Sequence, residues 1–480
     1  MKSSTLFSGF QNALLYKIVS TVLFFISSTL VFRYFGPELR GEIAILLAPI
    51  LLSQIALFDG GTKVQDFLSK DIRLASDSNH SSIWSSFFIK ATSGVILATI
   101  LAVSGPEIAD YYGLQEKRHI YELASILFLT HFLCGPVDLN VLQALKRYSA
   151  MKIFGIIEST GPLFAILACW AADGSVVFYI YMYILMRLIL APYSLFLLAQ
   201  LGLYRYLSRI RKDEIIKILL FTGPLWFAAL LAHASSQIVP LLSGIFFQLA
   251  TIGNISLALG VGLMAVSIIS LADGFALPKL NENRKKNTSA DRAHCCYLLR
   301  YWQALFYTSA LLAIGTFVFS DVLVLIIGGS SYTEAGDILR WLALLVAVKP
   351  LGVLRTIIYT GESTSRIASL TAMRFSAEIV LLCLCFKFLG SLGLGIALAT
   401  AFLVYGSKIL ILISRLSGLF SPILIRLFCH QLGLAVFLSI MAVLHFYSPS
   451  LALISSVAGI LFMMIIISAK QRIIKKLLLS

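Results

Sequence analysis

From about residue 10 onward the chain alternates between apolar runs of some twenty residues and short polar connections. A run of that length spans a hydrocarbon layer of about 30 Å as a helix. Fourteen such runs are expected, near 10–33, 41–61, 83–104, 119–142, 153–171, 175–199, 218–242, 250–276, 297–319, 338–360, 367–388, 393–413, 424–446 and 451–469. The ten-residue period-two alternation of a membrane barrel is absent from the pattern. The expected fold class is therefore an all-α polytopic membrane protein with about 14 transmembrane helices.

Composition agrees with that pattern. Of 480 residues, 59% are hydrophobic and only 13% charged, against about 25% charged in soluble domains. Mean hydropathy is +0.91. A soluble enzyme with a large core is excluded. The formal charge of +15 gains its meaning from where it sits. One set of alternate connections carries Lys63, Lys70, Arg73, Lys146, Arg147, Lys152, Arg205, Arg209, Arg211 and Lys212, then Lys279, Arg284, Lys285, Lys286, Arg366 and the tail Lys470, Arg472, Lys475 and Lys476. The opposite set carries Arg33, Arg40, Lys117, Arg118 and Lys387. Basic loops face the cytoplasm, so both termini are expected there and the span number is even. The basic excess is topological, and no nucleic-acid partner is expected. The first run is expected to stay as an uncleaved helix. Of the seven cysteines, Cys134, Cys169, Cys383 and Cys385 fall inside apolar runs and set no disulfide framework.

The chain also repeats itself. LFDGGTK at 57–63 and LADGFALPK at 271–279 place Asp59 and Asp273 214 residues apart. Pro136 and Pro350, and Lys152 and Arg366, show the same offset, and Gly113 and Gly328 differ by 215. Repeats of this length signal a duplicated bundle. The expected organisation is an N-terminal six-helix bundle at 1–200, a basic cytoplasmic linker at 201–217, a C-terminal six-helix bundle at 218–415, and an added helix pair with a basic tail at 416–480. Six spans per repeat give both halves the same orientation, the arrangement in which two halves rock about a central site.

Charges inside the apolar runs are the candidate chemistry. Lys349 lies about eleven residues from either end of its run, roughly 16 Å along a helix, and Arg187 is similarly central in ILMRLIL. A lysine side chain reaches on the order of 6 Å, too short to snorkel out. A cation at such depth costs roughly 3 kcal/mol and turns toward a partner or a wet cavity. Arg374, Arg355 and Arg33 are further candidates for the same lining. A positive cleft between the halves attracts an anion, and phosphate suits arginine and lysine. The competing account is a structural pairing of Arg187 and Lys349 with carboxylates on other helices. Glu378 follows Arg374 by four residues and can neutralise it. Glu378, Asp59 and Asp273 are the candidate carboxylates for ion or proton coupling. Pro350 beside Lys349, and Pro136, mark helix breaks of the kind that accompany transport sites. Neither His131 nor His233 has a second ligand at metal spacing, and no metal or cofactor is expected. A P-loop is absent, since GGTK at 60–63 lacks the spacing. So are GxSxG and HExxH, and no connection is long enough for a soluble catalytic domain.

FRYFGPELRGEIAI at 32–45, a span, and then LFDGGTK resembles the opening of the multidrug/oligosaccharidyl-lipid/polysaccharide exporter superfamily. LVLIIGGSSYTEAGDILRWLAL at 323–344, followed by a Pro-containing span and YTGESTSRIAS at 359–369, is similar to its second half. Within it the sequence looks most like the polysaccharide-transporter branch, the O-antigen flippases. That resemblance implies a non-enzymatic transporter of the bacterial inner membrane that moves undecaprenyl-diphosphate-linked sugar units toward the periplasm. It also implies a cationic lumen, for which Arg187, Lys349, Arg374 and Arg33 are the matching groups. Expected partners are the lipid-linked oligosaccharide, membrane lipids, and the polysaccharide polymerase and chain-length machinery. A drug/cation antiporter of the same superfamily and a membrane glycosyltransferase or polymerase are the alternatives.

Overall fold

The computed structural model of the chain describes residues 3–58, 77–133, 147–200, 210–286, 305–354, 364–417 and 422–448, with Leu142 and Val457. The described elements are α1 (Ser3–Ile55), α2 (Asp77–Tyr111), α3 (His119–Leu133), α4 (Tyr148–Ala171), α5 (Val176–Leu188), α6 (Leu190–Gln200) and α7 (Lys212–Phe246). They continue with α8 (Leu249–Lys286), α9 (Leu305–Val318), α10 (Ser320–Ile327), α11 (Ala335–Val348), α12 (Thr364–Leu389), α13 (Gly393–Ser417) and α14 (Pro422–Tyr447). Short 3-10 turns occupy Gln115–Lys117, Lys349–Leu354 and Gly390–Leu392. No strand occurs among the described residues.

These labels number helical segments rather than membrane crossings. Eight described stretches are long and apolar enough to cross a membrane, or nine if α9 and α10, bent by 73°, form one broken span. Two of the eight divide into two arms: Val19–Ile55, with 37 residues, and Ser365–Leu412, with 48, against about 20 per crossing. Each is broken at a glycine in the left-handed region that a side chain disfavours. Gly36 has φ 69° and is followed by Pro37, which has no N–H for the helix ladder. Gly390 has φ 63° and separates α12 from α13. The expected runs 10–33 and 41–61 are thus the two arms of α1, and 367–388 and 393–413 are α12 and α13. The run at 119–142 is described through Leu133, and 451–469 lies outside the described residues apart from Val457.

Packing divides the chain into two compact units, Met1–Ile245 and Phe246–Ser480. In the first, α4 lies along α1 and α5, and α3 along α2. Every residue from Gly41 to Ile50 in the second arm of α1 is buried, so this arm is apolar on all sides except at Glu42. Ile43, Leu46, Ile50, Ile120, Tyr121, Ile166 and Ile180 form the core with it. The turn after α2 is a Schellman motif: Leu114 N–H donates to Ala109 O (2.8 Å), Gly113 N–H donates to Asp110 O (3.1 Å), and Gly113 has φ 71°. It folds α3 back so closely that a Cβ at Gly105 would stand 2.5 Å from the Tyr121 side chain. The helix α7 belongs to this unit. Trp226 Nε1 donates to Leu57 O at 3.1 Å, and Tyr112 Oη donates to Leu241 O at 2.6 Å.

In the second unit α11 is the central helix. From Ala335 to Val348 every residue but Asp337 and Trp341 is buried, under α8, α10, α13 and α14. Small residues permit this crowding. Gly395 of α13 lies against the backbone of Trp341, and Gly406 lies against Leu351. The helix α12 packs along α13, joined to it by the Gly390 turn. The crossing of α10 and α11 repeats the α2–α3 crossing with its roles exchanged. Gly336 of α11 faces Asp321 of α10, whereas Gly105 of α2 faces Tyr121 of α3; the equivalent positions Gly105 and Asp321 are 216 residues apart, and Tyr121 and Gly336 are 215 apart.

Candidate functional site

Lys349 was expected deep in its apolar run, with Pro350 marking a helix break beside it, and its backbone stands at a helix end. Pro350 cannot donate the ladder bond that would continue α11, which stops at Val348; Lys349 is the C-cap, its N–H donating to Leu345 O. The chain runs on as a 3-10 turn to Leu354. The carbonyls of a helix C-terminus carry a partial negative charge that favours a cation. Arg187 has the same local setting in the first unit. Its backbone lies in the last turn of α5, which ends at Leu188, four residues before Pro192. The ring of a proline clashes with the carbonyl four residues earlier. The Arg187 side chain lies outside the described ones.

Around Lys349 the second unit assembles a small charged cluster on an aromatic floor. Lys349 Nζ lies 4.9 Å from the centroid of the Phe402 ring, and Arg374 Cζ lies 5.2 Å from the same centroid. Arg374 also lies 5.7 Å from the Tyr405 ring. Phe402 and Tyr405 are three apart on α13 and share a face. The nearness of Gly352 to the Phe402 ring, where a Cβ would stand 3.1 Å away, brings the Lys349 turn down onto α13. Arg374 and Glu378 sit on α12, with Nε and Oε2 3.9 Å apart. Both are buried, at 7% and 3% exposure. Lys349 is half-buried.

Sharing one ring keeps the two cationic groups within about 10 Å of each other. At an effective dielectric near 20 their repulsion is about 2 kcal/mol. Cation–π contacts of about 0.5–2 kcal/mol each and the Glu378 carboxylate offset it. Among the described residues the cluster joins two cations and one carboxylate. An arginine presents a planar fork of donors suited to a phosphate, and a lysine adds a point charge. These groups have the chemistry that suits an anion over an apolar, aromatic surface.

The remaining sequence candidates are placed as follows. Arg33 is exposed, at the end of the first arm of α1 in the first unit. Asp273 lies within α8, its side chain outside the described ones, and Asp59 and Arg355 lie outside the described residues. The structure therefore brings Lys349, Arg374 and Glu378 together.

Two charged groupings were not anticipated. Arg340 of α11, 7% exposed, donates to Asp337 one turn earlier and to Asp321 of α10. The spacing of Asp337 and Arg340 was a readable signal; the contact with Asp321 needs the bend between α9 and α10. In the first unit the buried Glu42 pairs with Lys117 in the turn before α3, and Arg40 lies 4.9 Å from the Phe32 ring. Among the described residues no group of three or more His, Cys, Asp or Glu is placed to hold a metal ion.

A multi-pass, all-helical membrane protein with a cationic cluster at a helix break defines a class, and comparison with known proteins narrows it. A family model described as "Polysaccharide biosynthesis protein" matches residues 68–337, more than half of the chain, which belongs to that family. Among solved structures the chain resembles the lipid II flippase MurJ in an inward closed conformation, with 13% identity, a TM-score of 0.69, and coverage of 96% of this chain and 99% of that one. It also resembles a multidrug resistance MATE family transporter of the MOP superfamily in an inward-facing conformation, with 13% identity, a TM-score of 0.66, and coverage of 84% and 96%. A mutant of the Vibrio cholerae MATE transporter VcmN gives 14% identity, a TM-score of 0.57, and coverage of 88% and 100%. At these identities the likeness is one of fold. No curated protein matches the sequence at a significant level. Family and fold together put the chain in the multidrug/oligosaccharidyl-lipid/polysaccharide exporter superfamily, with polysaccharide-transporter character.

Proposed function

We propose that the protein is a flippase that carries undecaprenyl-diphosphate-linked oligosaccharide units, such as O-antigen repeats, from the cytoplasmic to the periplasmic face of the bacterial inner membrane. The observation that carries this reading is the Lys349–Arg374 cluster on Phe402, a pair of cationic groups at a helix break in an apolar bundle. A diphosphate is the part of such a substrate that membrane-embedded cations would hold. Arg187, Arg33 and Arg355 complete the proposed lining, with Asp59, Asp273 and Glu378 available for coupling to an ion or proton. Drug/cation antiport would call for a net acidic cavity, whereas the cluster sets two described cations, Lys349 and Arg374, beside one described carboxylate, Glu378.

In this reading the chain has fourteen spans, with repeats at 1–200 and 218–415, a linker at 201–217, an added pair at 416–480, and both termini in the cytoplasm. The spacings of 216 and 215 residues between equivalent positions of the two glycine crossings support the duplication, and the one-sided Lys and Arg distribution supports the orientation. The halves rock about the site and expose it to one face at a time. Product would pass to the polymerase and chain-length machinery.

The test replaces Lys349 by Arg and by Ala in the host strain lacking its own copy, with surface polysaccharide scored at matched membrane protein level. Arg is expected to support export and Ala to abolish most of it. Full export with Ala would remove Lys349 from the site.

A further inference from the structure

We infer that Glu378 is a built-in counter-ion: it occupies the Arg374 guanidinium while the site is empty and is exchanged for the substrate's anionic group on binding. The inference rests on the reading of Lys349 and Arg374 as the anion site, and it assigns Glu378 a role in setting affinity.

Four features carry it. First, Glu378 and Arg374 are one helical turn apart on α12, with Oε2 3.9 Å from Nε, at the outer limit of an ion pair and beyond a hydrogen bond. Secondly, the arginine precedes the glutamate, the weaker order for such a pair on a helix. Thirdly, both groups are buried, so the carboxylate offsets part of the cost of holding a desolvated guanidinium near the Lys349 ammonium. Fourthly, Arg374 is anchored independently of Glu378, over the rings of Phe402 and Tyr405. Replacing the carboxylate by another anion therefore leaves the guanidinium where it is.

The consequence is exchange rather than addition. An incoming phosphate meets an arginine that already has an acidic neighbour, so it binds less tightly than to a bare cation pair. For a transporter that is useful, because a site must release what it has carried. Glu378 returns to Arg374 as the anion leaves.

The experiment uses the full chain purified in detergent, with inorganic pyrophosphate as the probe and calorimetry as the readout. Glu378→Gln keeps the side-chain shape and removes the charge. It is expected to bind pyrophosphate at least about tenfold more tightly than the natural chain, with reduced export in cells. Glu378→Asp draws the carboxylate back from Arg374 and is expected to tighten binding by a smaller factor; it carries the test if the Gln variant does not give a monodisperse, folded protein. Equal or weaker binding by these variants, with Lys349→Ala still weakening binding, would overturn the counter-ion and leave the anion site standing. Pyrophosphate affinity that is indifferent to Lys349→Ala in both backgrounds, or absent in both up to millimolar concentrations, would overturn the anion site and the counter-ion together.

Discussion

Replacing Lys349 by Met separates a binding role from a structural one, because the two roles predict opposite combinations of stability and affinity. Methionine keeps the length and most of the volume of the side chain and removes the ammonium. In the empty site the substitution abolishes a repulsion with Arg374 of about 2 kcal/mol and a cation–π contact with Phe402 of about 0.5–2 kcal/mol, which nearly cancel. Thermal stability of the purified protein should therefore stay within about 1 kcal/mol of the natural chain. Binding is another matter. A unit charge about 4 Å from an anion contributes at most about 4 kcal/mol at an effective dielectric of 20. Lys349 is half-buried, and water screening reduces that to roughly 1–2 kcal/mol, or about 5–30-fold in affinity. The assays are a thermal melt and pyrophosphate calorimetry on the same preparation. A melt lowered by many degrees, with unchanged affinity in the folded fraction, would refute the reasoning and make Lys349 a structural cation.

Gly105→Ala forces a methyl group into the Tyr121 side chain and should cost about 1–3 kcal/mol, whereas Gly223→Ala, with nothing within 4 Å of the new atom, should be neutral or slightly stabilising; paired thermal melts check both. Tyr112→Phe removes the hydrogen bond to Leu241 O and should cost about 1 kcal/mol. Burial pushes the Tyr112 phenol up to about 12, so in the natural chain stability should hold below pH 10, where the unfolded phenol ionises, and fall between pH 10 and 12; that slope should be shallower in the Phe variant. Arg340→Met removes the cation shared by Asp321 and Asp337; both carboxylates are exposed, so the loss should cost about 1 kcal/mol, read by a thermal melt. Pro350→Ala restores a backbone donor and lets α11 run on past Val348, so the melt should rise or hold while export falls; unchanged export would show that the helix break is dispensable.

The membrane character of the chain was legible because hydrophobicity alone decides it. Apolar runs too long for a soluble core, with Lys and Arg confined to alternate connections, admit few other folds. The bends were partly legible. FGPELR announces a break through Gly36 and Pro37, and the structure puts one there. The break beside Lys349 was legible from Pro350. The turn between α5 and α6 just after Arg187 was not read, because a continuous apolar run hides a helix end when both flanks are equally apolar; Pro192 was the local signal. Arg374 and Glu378 could be paired from their spacing, but their meeting with Lys349 over Phe402 could not, since three elements must fold together to make it. Arg340 was passed over for a similar reason. One partner is near in sequence, and the other is supplied by a sharp bend that hydropathy does not register.

The setting of the two deep cations also bears on why the membrane tolerates them. A lysine in an unbroken apolar helix faces hydrocarbon on every side, and its local backbone offers nothing, because each carbonyl is engaged in the ladder. At a proline-induced end the last carbonyls are released from it, and their dipoles converge on the position that Lys349 occupies. The break therefore supplies part of the solvation that water would otherwise provide, and the ring of Phe402 supplies more. A site so arranged gives its cations ring faces and released carbonyls in place of water. For the proposed flippase, that is a setting in which a cation can wait inside the membrane for an anionic group.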